Sequence, residues 1–129
     1  ALNGSSAIFA HRDFHTEPEF RVGRYGVKTE VLETLVRAHL DPYRKAADLL
    51  IVDEIARMEI LSSSIKQALE AALDSECLLL GTVSLKGTGF IKRVKNRKDV
   101  QVVKITRENR GAMEGQVCRR LLQLMRSVT

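Results

Sequence analysis

Apolar positions along the chain follow two rhythms, and each rhythm predicts a kind of element. Leu49-Leu50-Ile51-Val52 is an unbroken apolar run and Cys77 to Val83 is a second; both read as strands buried on two faces of a parallel sheet. Val100 to Ile105 supplies a third strand. Ile65, Ala68, Leu69, Ala72 and Leu73 recur instead at i, i+3, i+4, i+7 and i+8, one face of a helix that Ser62, Ser63 or Ser64 can cap. Thr29 is the expected cap of another helix, running to about Leu40, with Val31, Leu32, Leu35 and Val36 on one face. Asp41-Pro42 ends or restarts it. A basic helix is expected around Phe90 to Asn96. The last helix runs from about Gly111 to Val128, with Met113, Val117, Leu121, Leu124 and Val128 facing inward. Strands alternating with helices at this spacing predict an α/β fold with a parallel sheet and right-handed crossovers.

The front of the chain reads differently. Asn3-Gly4 is a hairpin signal with Ala7-Ile8-Phe9-Ala10 as its returning strand. Only Ala1 and Leu2 precede that turn, and the first residue is Ala. A partner strand is therefore expected upstream, with the chain truncated at its N-terminus. Residues 11–24 are polar, Glu17-Pro18 interrupts any helix, and a short strand fits Phe20 to Val22. The expected organisation is one domain over 1–129, with a β-rich hairpin segment at 1–27 and an α/β core at 28–129.

With 44% hydrophobic and 29% charged residues, 129 residues suffice for a core and exclude wholesale disorder. No apolar run approaches a membrane span and no signal peptide opens the chain, so a cytoplasmic protein without membrane contact is expected. Cys77 and Cys118 lack metal-ligand spacing and are expected as reduced thiols; His11 and His15 have no ligand partner at suitable spacing. The net charge of +5 is uneven. Lys86, Lys92, Arg93, Lys95, Arg97 and Lys98 fall together with no acid between Lys86 and Lys98. They form a solvated helix face or a surface that meets phosphates. Phe90 alone interleaves with them, which disfavours a base-stacking platform.

The chemistry concentrates where the first run stops, at Asp53-Glu54. In parallel α/β sheets ligands gather at the carboxyl ends of strands, and Thr82 and Thr106 are expected at two further such ends. A strand ending in adjacent carboxylates is the Walker B arrangement of nucleotide hydrolases; its bland alternative is a polar strand end.

Longer blocks carry a resemblance. Asp53-Glu54-Ile55-Ala56-Arg57-Met58-Glu59-Ile60-Leu61-Ser62 is similar to the signature of a small P-loop nucleoside-triphosphatase family, the one that includes the cancer-related nucleoside-triphosphatase. Its block reads Asp-Glu-Ile-Gly-Lys-Met-Glu-Leu, so Ala56 and Arg57 depart mildly. Arg21-Val22-Gly23-Arg24-Tyr25-Gly26-Val27, Asn96-Arg97-Lys98-Asp99-Val100 and Thr106-Arg107-Glu108-Asn109-Arg110 also match, in order. The resemblance implies a RecA-type three-layer sandwich, a mostly parallel sheet with helices on both faces. It implies magnesium-dependent hydrolysis of ATP, GTP and other nucleoside triphosphates to the diphosphate and phosphate.

Carried over residue by residue, Asp53 would hold Mg2+ through water and Glu54 would polarise the attacking water. Arg93 and Arg97 would supply charge to the transition state. Thr82 would sense the terminal phosphate, or serve as a strand-end hydroxyl. Asn109 and Arg110 would lie near base or ribose, or cap the final helix. Arg57 and Glu59 are supporting candidates, Glu59 equally a plain surface carboxylate.

One departure is large. The family opens with a strand and a Gly-x-x-x-x-Gly-Lys-Thr loop, and these 129 residues contain neither. Gly23 to Thr29 is no substitute, because Val27 separates Gly26 from Lys28 and the first spacing is too short. A missing first strand, normally central in such sheets, would leave unpaired edges for self-association or strand swapping to fill. The chain alone is then expected to hydrolyse weakly. The alternatives are a non-catalytic binding or assembly module and, less favoured, a basic nucleic-acid-binding domain.

Overall fold

Short antiparallel strands come first in the computed structural model, which describes residues 7, 10–40, 48–56 and 61–128. Strands β1 (Ala10–His11), β2 (Arg21–Val22) and β3 (Tyr25–Val27) form a sheet in the order β1-β3-β2. Val22 pairs with Tyr25, which leaves Gly23-Arg24 as a two-residue turn with Gly23 at φ +59°. Positive φ is what tight hairpin turns demand, and glycine meets it without strain. The 21–27 block is thus a hairpin and wraps no phosphate. Gly26 is buried, and a side chain there would collide with the Phe14 carbonyl. The expected strand near Phe20 is present as β2, entered through a single 3-10 turn at Pro18–Phe20. The Asn3-Gly4 turn and Asp41-Pro42 lie outside the described residues.

The rest alternates as the runs predict: α1 (Thr29–His39), β4 (Leu49–Ile55), α2 (Ser63–Asp74), β5 (Leu78–Val83), α3 (Phe90–Lys95) and α4 (Arg110–Val128). β4 and β5 pair in parallel, Leu49 opposite Leu78 and Val52 opposite Gly81, with α2 as the crossover. One core joins them. Leu32 of α1, Ile55 of β4, Ile65 and Leu69 of α2, and Phe90 and Val94 of α3 are its buried members. Val36, Leu40, Val52, Leu73 and Val83 pack around that cluster. The architecture is α/β with a parallel sheet, and no described helix is long and apolar enough to cross a membrane.

Four local expectations are corrected. β4 is not buried on both faces: Leu50 is 6% exposed but Ile51 is 68% exposed. The pair of strands turns one face to the helices, and among the described residues its other face is left partly open. The run also continues as strand through Ile55, so the carboxylates sit within β4 and not just after it. Val100 to Ile105 forms no strand, and Val102, Val103 and Ile105 stay exposed. A strand exists through its ladder, and no described strand runs beside this segment to supply one. Thr29, finally, is the first helical residue and Lys28 the cap, with no side-chain cap bond. Ser62 does stand at the N-cap of α2, but its hydroxyl donates to the Glu33 carboxylate of α1, which ties the two helices. In α4 the inward positions Met113, Val117, Leu121 and Leu124 are half-buried.

Candidate functional site

Register builds the site. Val52 opposes Gly81 and Ile55 opposes Val83, so Asp53 and Glu54 together face the single residue Thr82. Two residues against one is a β-bulge, a device that re-aims side chains at strand ends. The peptide joining the two acids is cis. Ladder geometry resumes at once, with the Ser84 amide donating to the Ile55 carbonyl at 3.2 Å. Ile55 is 3% exposed and anchored in the core, so the exposed carboxylates stand on a rigid base. The Thr82 hydroxyl donates to Asp53 Oδ1 at 2.5 Å. Glu54 takes no hydrogen bond or ion pair from a described residue. The pair occupies the carboxyl end of the parallel strands, where α/β sheets gather ligands.

The other candidates are placed elsewhere. Arg93 is 68% exposed, 3.5 Å from Glu70, with its guanidinium 5.6 Å from the Phe90 ring centroid. Arg97 is fixed on three sides. It donates twice to Asp99, at 2.8 and 2.7 Å, and to the Leu73 carbonyl at 3.3 Å. It also meets Asp74 at 2.8 Å. This clamp joins the end of α2 to the segment after α3. A hollow of about 250 Å³ between those helices is lined by Glu70, Leu73, Phe90, Arg93, Val94 and Arg97. Neither Asp53, Glu54 nor Thr82 borders it, and among the described residues no hydrogen bond or ion pair connects Arg93 or Arg97 to them. Lys95 is also engaged, donating to the Leu85 carbonyl at 2.9 Å. The basic cluster is therefore partly neutralised by acids just outside its window, Asp99 in sequence and Glu70 and Asp74 in space. Only Asp99 left a sequence signal, two residues from Arg97.

The Arg97–Asp99 contact makes a pH prediction. Hydrogen bonds from Arg97 hold the Asp99 carboxyl below its ordinary range, and those to Asp99 first and Asp74 second hold the Arg97 guanidinium charged. A lowered folded pKa stabilises above the unfolded value of about 3.9 and loses that stabilisation as pH falls through the folded one. Asp99 is exposed and Arg97 half-buried, so solvent screens the contact and the effect is small. Wild type is expected to melt slightly above Asp99→Asn at neutral pH, with the gap closing as pH drops below about 4. A gap that persists unchanged in acid would refute this assignment.

Thr106 is not a strand tip. Its amide donates to Asn109 Oδ1 at 2.7 Å, while the Asn109 amide donates to the Thr106 hydroxyl at 3.2 Å. That reciprocal pair resembles a capping box, here closed by an asparagine in the turn just before α4. The Arg110 amide then donates to the Thr106 carbonyl at 3.0 Å, which opens α4. Asn109 Nδ2 donates to the Lys104 carbonyl at 2.9 Å. Arg110 is exposed in the first turn. Arg57 and Glu59 lie outside the described residues. No group of three or more His, Cys, Asp or Glu side chains with metal-binding geometry occurs among the described residues.

The fold and the acidic bulge define an α/β domain with a carboxylate pair at the ligand end of its parallel strands. Comparison with known proteins makes this more specific. The family model described as NTPase matches residues 1–118, and the chain belongs to this family. It is 32% identical to the nucleoside-triphosphatase THEP1 of Thermotoga maritima over 116 residues, 90% of this chain and 66% of that relative. THEP1 of Natranaerobius thermophilus is 33% identical over 119 residues, 92% of this chain and 67% of the relative. The cancer-related nucleoside-triphosphatase homolog of Mus musculus is 31% identical over 108 residues, 75% of this chain and 55% of the relative. The crystal structure of THEP1 from Aquifex aeolicus shares the fold, with a TM-score of 0.72 at 22% identity over 92% of this chain and 72% of that one. The chain thus spans about half to two thirds of the length of the curated relatives it matches.

Proposed function

We propose that the chain forms the acidic half of a nucleoside-triphosphate hydrolase site, with Asp53 and Glu54 as its working carboxylates. One observation carries this reading: two exposed acids share a bulge at the carboxyl end of a parallel strand pair, on a base anchored by Ile55. Family membership and the names of the relatives support it.

The donor set fits magnesium. Mg2+ takes hard oxygen ligands, usually one or two carboxylates together with substrate phosphates and retained waters, and does not need an all-protein cage. Asp53 would hold the ion, its Oδ2 left open by the Thr82 bond to Oδ1. Bound there, the ion would neutralise charge on the phosphates. Glu54, with no described partner, is the group able to accept a hydrogen bond from a water and orient it for in-line attack on the terminal phosphorus. The water's proton would pass towards the Glu54 carboxylate as its oxygen bonds to the terminal phosphorus, while the bond from that phosphorus to the bridging oxygen breaks and its electron pair leaves with the diphosphate. Arg93, exposed and held by an ion pair to Glu70 and a contact with the Phe90 ring, is the better candidate for charge delivered to the transition state. Arg97, bound by two carboxylates, would serve mainly as a brace. Arg110 would contact base or ribose; Asn109 would act through the turn that presents it. Arg57 and Glu59 remain supporting candidates.

In this reading the phosphates themselves are gripped by groups outside these 129 residues, which carry no phosphate loop. Phosphate release from ATP, GTP, CTP and UTP by the natural polypeptide that contains the chain tests the proposal. Release is expected with magnesium, at similar rates for the four bases, and to fall to background in excess chelator. Release that persists in chelator would exclude the metal-assisted form of the reading.

A further inference from the structure

We propose that Thr82 is a positioning residue for Asp53, holding that carboxylate in the orientation a divalent cation meets, and does not itself read the terminal phosphate. The inference rests on the hydrolase reading above and deepens it. The bulge leaves Thr82 alone opposite two acids, so it is the β5 side chain placed to serve the pair. Its hydroxyl donates to Asp53 Oδ1 at 2.5 Å. A hydroxyl carries a single proton and otherwise only lone pairs. With that proton given to Asp53, what Thr82 can offer a phosphate oxygen is lone pair against lone pair. A phosphate sensor must donate, and this one has already donated.

The contact also has something to do at Asp53. Asp53 is exposed, so packing does not hold its carboxylate in one rotamer. Threonine, β-branched and stiff at χ1 on a strand, presents its oxygen from a nearly fixed position. Oδ1 is thereby fixed and Oδ2 is left for the cation. Hydrogen-bond partners behind a metal ligand commonly matter by about 10- to 100-fold in affinity or activity.

The test uses Thr82→Val, which keeps the shape and strand preference but loses the hydroxyl, and Thr82→Ser, which keeps the hydroxyl. Mn2+ is titrated by electron paramagnetic resonance into the natural polypeptide with ADP present, because such an ion draws part of its ligands from phosphates. Thr82→Val is expected to weaken Mn2+ binding by about 10- to 100-fold, and Thr82→Ser to restore most of it. In the metal-free protein, the Asp53 carboxyl carbon resonance should move in the valine variant and return in the serine one. At saturating cation the valine variant should keep the wild-type KM for ATP. Unchanged Mn2+ affinity and an unmoved Asp53 resonance in Thr82→Val would overturn the proposal. A raised KM for ATP with normal Mn2+ binding would make Thr82 a phosphate sensor instead. If wild type itself fails to bind Mn2+, the metal reading of Asp53 falls, and the positioning role falls with it.

Discussion

Glutamine in place of Glu54 is expected to slow triphosphate hydrolysis by about two to four decades and to leave nucleotide binding intact. The exchange keeps shape and size but removes the carboxylate that a water needs as its hydrogen-bond acceptor and proton sink. Two to four decades correspond to about 3 to 5 kcal/mol of lost transition-state stabilisation. Folding should be spared, because Glu54 is exposed and takes no bond from a described residue; surface changes of this kind stay within about 0.5 kcal/mol. The measurement is steady-state phosphate release with ATP and magnesium, paired with equilibrium nucleotide binding. A fall in kcat at constant KM would mark an interaction made only in the transition state. Normal turnover in Glu54→Gln would remove the water-orienting role, and a raised KM alone would reassign Glu54 to ground-state binding.

Ile65→Ala is expected to cost about 2 to 5 kcal/mol of stability. Ile65 is 2% exposed and sits on α2 in the same cluster as Leu32, Ile55 and Phe90. Truncation removes apolar surface from the core and leaves a void that three helices and a strand must collapse together to fill. A loss of that size consumes a large share of a typical domain's 5 to 15 kcal/mol, roughly. Urea unfolding should show the midpoint falling at constant slope. Ile65→Val, which deletes one methyl group, should cost only about 0.5 to 1.5 kcal/mol. A loss below about 1 kcal/mol in the alanine variant would be at odds with full burial in a close-packed core.

How much was legible differs from element to element. The i, i+3, i+4 stripe of α2 is plain in the chain, and Ile65, Leu69 and Ala72 are its buried members. Leu78–Val83 and Phe90–Lys95 likewise lie where the apolar run and the basic segment predict them. Each of these depends on local spacing alone. Val100 to Ile105 is equally apolar and still forms no strand, because pairing is a property of two segments and only one is visible in a local window. Arg97 illustrates the same limit for charge. Its neighbourhood reads as uniformly basic from Lys86 to Lys98, yet Asp74, distant along the chain, folds onto it.

Period and chemistry along the chain determined that this protein alternates helices with strands, and that two acids follow the apolar run of β4. Those facts are local: backbone sterics, side-chain periodicity and residue identity suffice. Which of the acids takes the Thr82 hydrogen bond, that a bulge sets both against one residue, that Ile51 faces outward and that Arg97 is clamped were decided by tertiary structure alone. Each depends on register or on contact between segments far apart in sequence, and a one-residue slip in the β4–β5 ladder would exchange the two faces of the sheet.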